Sequence, residues 1–311
     1  MIVSRSHLAT PNGIFLFTRR LLTIGVASVC LACGQADSPV GIAPPPNDFI
    51  IDLRYLSNVS ETQRAVIAAA VDKWSRALSK DRGPFRFRTA ANKCFTGAPR
   101  LDEEHRSPVI FLSVANVDRV GGLLAYTQIC EVNPRDTLPA LSHIRIDLHD
   151  IALLENAGTL TGVVTHELGH ALGFVPVIYL AKKLAGGGSV DPHIKGPAAR
   201  AQFHERGAWY TGLTVPLEDA SGDGPNNPHW RFMVFGDEVM SSSIITGYRS
   251  PLSVITLGLF QDLGYTVDFS VADSYVVTPL FGGNRVLPEF NLGNDLRAAG
   301  SPSDVTPLPA R

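Results

Sequence analysis

Long hydrophobic runs, clusters of positive charge and internal repeats are all missing from this chain of 311 residues. The apolar stretch near its start, Leu21 to Ala32, covers about 12 residues, whereas a membrane-spanning helix needs about 20. The net charge is −2, and Lys and Arg form no run beyond the N-terminal region. Nucleic-acid binding requires a concentrated basic face, so no nucleic-acid partner is expected. A composition of 45% hydrophobic and 18% charged residues is typical of a soluble globular protein.

Residues 1–33 have the pattern of an export signal. They contain Arg5, Arg19 and Arg20 but no acidic residue, and the apolar stretch follows, which is the arrangement of a secretory signal. The residues around Cys33 also resemble a bacterial lipoprotein box, so lipidation of Cys33 and ordinary cleavage nearby both remain open. We therefore expect an exported bacterial protein that is periplasmic, on the cell surface or extracellular. Its membrane contact is expected only through such a lipid anchor.

Cysteine is scarce, with four residues in the whole chain. Two of them lie within residues 1–33, and their removal leaves Cys94 and Cys130. A single pair in an exported protein predicts one disulfide. Closing that loop would stabilise the fold by about 3–4 kcal/mol in the chain-entropy model. Two separate buried thiols are the alternative.

The rest of the chain divides into a linker, a domain and an extension. The linker, 34–47, is small, polar and rich in proline, as flexible tethers are. The domain is predicted to occupy 48–270. The extension, 271–311, is rich in Gly, Pro and Asn and is expected to be extended.

Hydrophobic periodicity predicts the secondary structure of the domain. Strands are expected at 49–56, 108–117, 121–129 and 143–150. Helices are expected after a capping box at Ser60 and Gln63, at 151–157, from Thr159 or Thr161 to Gly173, around 197–204 and at 251–265. This order indicates an α+β protein in which the helix ending at Gly173 packs against a mixed sheet.

The stretch THELGHALGFVP contains the motif His-Glu-x-x-His. Residues four apart lie on one face of a helix, so His166 and His170 can direct ring nitrogens at one metal ion. Glu167 lies about 100° around the helix, a position that suits a base for water and not a metal ligand. Gly173 is expected to end the helix in a left-handed turn. The motif predicts one catalytic Zn²⁺ per chain, with Glu167 accepting a proton from water.

The residues leave the closure of this site open. A catalytic zinc takes three protein ligands and a water, and the motif supplies two. In the compact form of the motif a third histidine follows the glycine by three positions, where this chain has Pro176. A glutamate on a following helix, Glu205, would close a thermolysin-like site. The complete set of downstream candidates is His193, His204, Glu205, Glu218 and His229.

Several separated motifs resemble the leishmanolysin family of metzincin peptidases: HELGHALGF, then a long insertion, then PHWRFMVFGDEVMSS, with WSRAL, IKGPAARAQF and LSVITLGLFQDLGY elsewhere. The resemblance covers most of 48–270. It implies a metzincin-like zincin with a twisted mixed sheet, an active-site helix and a loop-rich C-terminal subdomain. It also implies that His166, His170 and His229 bind zinc, that Glu167 is the general base and acid, and that Met240 forms the turn beneath the metal.

By this resemblance the chain is an exported zinc-dependent endopeptidase acting on a protein or peptide substrate. The strand at 121–129 is expected to be a sheet edge along which substrate adds as an antiparallel strand. A catalytically inactive, zinc-containing cell-surface binding protein is the alternative. The parasite members of the family are rich in disulfides and carry a long pro-segment. This sequence shows neither, so latency through a cysteine bound to the zinc is not expected.

Overall fold

The computed structural model describes residues 49–174, 184–185, 191–206, 214–218, 229–245, 249–277, 289–291, 296–297 and 305–307. The expected export signal 1–33, including Cys33, and the linker 34–47 lie outside the described residues. None of the helices in the described ranges has the length and apolar character needed to cross a membrane.

The described residues form six α-helices, one short 3-10 helix (Phe269–Val271) and fifteen short or medium strands. The helices are α1 (Glu61–Ala77), α2 (Ile151–Asn156), α3 (Leu160–Leu172), α4 (Pro197–Arg206), α5 (Phe232–Phe235) and α6 (Val254–Asp262). The strands are β1 (Asp52–Tyr55), β2 (Leu78–Ser79), β3 (Phe85–Thr89), β4 (Leu101–His105), β5 (Val109–Ala115), β6 (Ala125–Val132), β7 (Pro139–Asp147), β8 (Leu184–Ala185), β9 (His193–Ile194), β10 (Val215–Pro216), β11 (Ser243–Ile245), β12 (Thr266–Val267), β13 (Glu289–Asn291), β14 (Leu296–Arg297) and β15 (Val305–Pro307).

The first helix begins at the expected capping box. The Ser60 hydroxyl accepts from the Gln63 backbone N–H at 3.1 Å, and the Gln63 side chain accepts from the Ser60 N–H at 3.0 Å. Both bonds satisfy backbone donors that the first turn of a helix leaves unpaired. The buried face of α1 carries Ile67, Ala70, Trp74 and Ala77, the spacing of three and four residues that places side chains on one side of a helix.

The central sheet is mixed and has the order β1-β5-β7-β6-β14. Strands β1, β5 and β7 are parallel, whereas β6 runs antiparallel to β7. Side chains alternate between the two faces of the sheet. On one face, Leu112 and Ile144 join the core shared with α1 and α3. On the other, Phe111 and Leu141 pack with Phe85 of β3. The mixed sheet and the helix packed on it agree with the α+β prediction.

The hairpin of β3 and β4 was not predicted from the sequence. It covers the second face of the sheet, where Phe85 and Phe87 are fully buried. A disulfide between Cys94 and Cys130 joins the loop of this hairpin to β6, with a Cα–Cα distance of 5.2 Å. The cysteine pair therefore fastens the hairpin layer to the strand that also borders α3.

The expectation of a sheet edge at 121–129 is wrong. The strand runs from Ala125 to Val132, and its outer side pairs in parallel with β14, Leu296 opposite Thr127 and Arg297 opposite Gln128. This pairing occupies backbone groups that an edge strand would leave available. Strands β13 and β15 likewise pair with β11 and β3, so the described strands of the 271–311 region are part of the fold.

One buried carboxylate on β6 makes stability depend on pH. Glu131 lies at a bulge in the β6–β7 ladder and is 2% exposed. Its Oε2 has no hydrogen-bond partner among the described residues. Burial raises the pKa of Glu131 from 4.5 to about 7, against a smaller opposing effect of Lys93. Because the pKa is higher in the folded state, the stability linked to this group is present below about pH 4.5 and is lost as the pH rises through 7.

We expect Glu131→Gln to remove this pH dependence, because the amide has no charge to desolvate. Between about pH 5 and pH 8 the free energy of unfolding of the variant should rise relative to that of the wild type, by up to about 3 kcal/mol. Urea unfolding across this pH range measures the difference. Glu104→Gln, at an exposed position of β4, is the control for the loss of a surface carboxylate. A difference for Glu131→Gln that stays constant across this pH range would contradict the proposed linkage.

Candidate metal centre

The helix that carries the His-Glu-x-x-His motif lies in the interior of the protein. Every residue of α3 from Gly162 to Leu172 is buried, between α1 on one side and β6 and β7 on the other. Trp74 of α1 fixes one contact, because its indole N–H donates to Thr165 O at 2.9 Å. The motif is therefore held by tertiary packing on all sides, which limits how far its side chains can move.

The two histidines of α3 are oriented by backbone carbonyls. Nδ1 of His166 donates to Val239 O, and Nδ1 of His170 donates to Phe174 O, each at 2.6 Å. A carbonyl oxygen only accepts, so the proton of each neutral imidazole is on Nδ1 and the lone pair on Nε2. Outer hydrogen bonds of this kind fix the tautomer and ring orientation of metal-binding histidines.

The carbonyl that holds His170 depends on the turn after the helix. Gly173 has φ +137°, and its N–H donates to Gly169 O and His170 O. A side chain at this φ would be strained, so glycine permits the reversal. The next residue, Phe174, donates from its N–H to Gly169 O and presents its own carbonyl to His170. The glycine thus ends α3 and places the acceptor for one histidine.

A third histidine reaches the same point from a loop. His229 O accepts from Glu218 N, and Trp230 N donates to Met240 O, both at 2.9 Å. The Trp230 side chain is fully buried, and its indole N–H donates to Thr256 Oγ1 at 2.8 Å. These bonds on both sides of His229 position a residue that lies 59 positions after His170 in the chain.

The three rings converge through their Nε2 atoms. The separations are 3.0 Å between His166 and His170, 3.1 Å between His170 and His229, and 3.3 Å between His166 and His229. Tetrahedral zinc with Zn–N bonds of about 2.0–2.1 Å places neighbouring nitrogens roughly 3.3 Å apart. All three side chains are buried, and three lone pairs this close repel one another unless a cation lies between them. The donor set therefore fits a zinc ion.

Met240 packs against α3 at Gly169. It is fully buried, and a Cβ added at Gly169 would lie 2.4 Å from its sulfur. The missing side chain of Gly169 is what admits the methionine next to the helix that carries the two histidines. Met233, the other methionine near His229 in sequence, is 47% exposed and occupies no such position.

Glu167 is fully buried beside the histidines and is held by β6. Thr127 Oγ1 lies 2.5 Å from Glu167 Oε2 and 3.0 Å from the carbonyl oxygen of the same residue. The hydroxyl orients the carboxylate relative to the helix that bears it. Thr127 could not be identified from the sequence, because nothing in the pattern of β6 distinguishes it from any inward-facing threonine.

The other candidates for a third ligand lie elsewhere. Glu205 has a side chain 59% exposed and pairs with Arg206. His204 is exposed, and Nδ1 of His193 contacts Asp191 O. Glu218 uses Oε2 to accept from Phe232 N and Ser242 Oγ. Among the described residues, only His166, His170 and His229 form a cluster of three groups able to hold a metal ion.

Comparison with known proteins identifies the family to which the chain with this site belongs. A family model for leishmanolysin matches residues 103–282, more than half of the chain. The chain belongs to the leishmanolysin family. This confirms the resemblance found in the sequence, and the matched range includes α3, His229 and Met240.

Individual leishmanolysins match this chain over only part of their own length. Leishmanolysin of Leishmania chagasi is 30% identical over 220 residues, 68% of this chain and 35% of the relative. Leishmanolysin of Leishmania donovani is 34% identical over 168 residues, 51% of this chain and 28% of the relative. The leishmanolysin homolog of Crithidia fasciculata is 29% identical over 191 residues, 58% of this chain and 28% of the relative. The chain spans about a third of the length of these curated relatives.

We expect His229→Ala to weaken zinc binding by more than the roughly 10–100-fold that loss of an outer hydrogen bond costs, because a direct donor is removed. Glu205→Gln should leave zinc affinity unchanged. Competition with a chromogenic chelator measures both affinities against wild type. Weaker zinc binding by Glu205→Gln with unchanged zinc binding by His229→Ala would contradict the three-histidine centre. That result would favour the thermolysin-like arrangement.

Proposed function

We propose that this protein is an exported, zinc-dependent endopeptidase of the leishmanolysin family. The observation that carries the proposal is the convergence of three buried imidazole Nε2 atoms within 3.0–3.3 Å of one another. A buried glutamate follows the first of these histidines on the same helix. That combination of donors and base matches the requirements of metal-assisted peptide hydrolysis.

In this proposal His166, His170 and His229 hold one Zn²⁺ per chain. Zinc held by three imidazoles supplies a Lewis acid that lowers the pKa of water and polarises a carbonyl. The carbonyls of Val239 and Phe174 fix two of the three rings, those of His166 and His170. Met240 provides an apolar floor, and its thioether takes no part as a ligand.

Glu167 is the proposed general base and acid. Its carboxylate accepts a proton from the attacking water and later passes it to the amine of the departing product. Thr127 holds Oε2 of Glu167 through its hydroxyl, so the carboxylate keeps one orientation during both transfers. Burial of the site strengthens these charge interactions because the local dielectric is low.

The proposed domain organisation follows from the same assignment. Residues 1–33 would direct export, with Cys33 as an optional lipid attachment site, and 34–47 would form a linker. The peptidase domain would occupy 48–270 with a metzincin-like sheet and active-site helix. The extension 271–311 contributes strands that pair with this domain. Substrates are proposed to be proteins or peptides.

We expect Glu167→Gln to reduce peptide hydrolysis by at least about 100-fold, the lower range for loss of a general base. Bound zinc should stay near one ion per chain, because Glu167 is not a ligand. Cleavage of a peptide library and metal analysis on the same samples measure both quantities. The matched control, Glu104→Gln, should retain full activity.

Two results would count against this function. Wild-type protein that contains one zinc per chain and cleaves no peptide in the library would favour the inactive zinc-binding alternative. Loss of zinc from Glu167→Gln would show that the glutamate serves the metal and not the water.

A further inference from the structure

A second buried carboxylate, Glu238, lies two residues before Met240. It is 2% exposed and accepts four hydrogen bonds. Oε2 accepts from Met240 N at 2.6 Å. Oε1 accepts from Ser253 N, Ser253 Oγ and Thr256 Oγ1 at 3.1, 2.6 and 2.5 Å. A carboxylate that uses both oxygens in this way, with no ion pair among the described residues, fixes two segments of backbone relative to each other.

One of these segments is rigid. Ser253 is the N-cap of α6, and its hydroxyl accepts from Thr256 N at 3.2 Å. The Glu238 carboxylate therefore lies at the N-terminus of a nine-residue helix, where free backbone N–H groups and the helix dipole favour a negative charge. Burial raises the pKa of Glu238 to about 7 against the effect of the donors from Ser253 and Thr256.

The other segment supports two of the three histidines. Val239 O, next to Glu238, accepts from His166 Nδ1. Met240 O accepts from Trp230 N, the residue after His229. The link to Trp230 is doubled, because Thr256 Oγ1 accepts from the Trp230 indole and donates to Glu238. One carboxylate thus holds the backbone that orients His166 and both ends of the tryptophan that anchors His229.

We infer that Glu238 is a positioning residue of the metal centre, which ties the Met240 turn to the N-terminus of α6 so that His166 and His229 keep their metal-binding orientations. The inference rests on the proposed zinc function. A positioning role differs from a purely structural role because loss of the residue changes metal binding in protein that remains folded.

Zinc affinity and the visible spectrum of the cobalt(II)-substituted protein test this inference. Glu238→Gln keeps the shape of the side chain but replaces one acceptor oxygen with an amide donor that opposes an N–H or hydroxyl donor. We expect zinc affinity to fall by about 10–100-fold, as for loss of other outer-shell groups. The cobalt spectrum should change in band position or intensity, because the ring orientations change.

A matched control separates positioning from general loss of a buried glutamate. Glu131→Gln alters a carboxylate of equal burial on β6, outside the hydrogen bonds of the Met240 turn, and should change stability but neither zinc affinity nor the cobalt spectrum. Folded Glu238→Gln protein with wild-type zinc affinity and cobalt spectrum would overturn the inference. Wild-type protein that fails to bind zinc would overturn the proposed function itself, so the two failures are distinguishable.

Milder variants keep the test decisive if Glu238→Gln does not fold. Thr256→Val removes one donor to Glu238 and the acceptor for Trp230, and Trp230→Phe removes the indole N–H together with the second ring of the side chain. Both should weaken zinc binding by several-fold through His229. Wild-type zinc affinity in both folded variants would overturn the inference.

Discussion

Three imidazole rings with converging lone pairs stay together in a protein interior only if each ring is held by a partner other than the metal. Here the three Nε2 atoms lie 3.0–3.3 Å apart in a buried position. The outer nitrogens of His166 and His170 donate to carbonyls from two different loops. The folding of these loops therefore offsets the electrostatic repulsion between the lone pairs. The site is thus pre-organised for a cation.

That requirement explains why α3 is buried to an unusual degree. A helix that presents histidines on one face needs close support on the others, and the small residue Gly169 lets Met240 approach where a Cβ would clash. Trp74 adds a hydrogen bond to the carbonyl of Thr165 and packs against Phe260 of α6. The N-terminus of the same helix, α6, binds Glu238. The Met240 turn and α1 therefore both contact α6, and α3 is connected to it through Trp74.

Local features of this protein could be predicted from its sequence, and features that depend on distant partners could not. Periodicity and capping located α1, α3 and α6 to within a few residues, because these signals lie within each helix. The sheet edge at 121–129 was wrong, because β14 arrives from a segment far along the chain. The hairpin of β3 and β4 is an exception, because its strands are neighbours in the chain and it was still missed. Thr127 and Glu238 were not identified, since their partners lie 40 and 15–18 residues away. The choice of His229 came from family resemblance and not from spacing.

The charges of the interior give a further reason for two buried glutamates near one metal centre. Three neutral imidazoles leave the full charge of a bound Zn²⁺ uncompensated, and an isolated buried charge is costly. Glu167 on α3 and Glu238 on the Met240 turn are both buried, and each supplies negative charge to this region when it is ionised. Glu167 is oriented by the hydroxyl of Thr127. The other is fixed by four donors and suited to hold backbone. In the proposed function the same residue type thus serves as a base at one position and holds the backbone at the other.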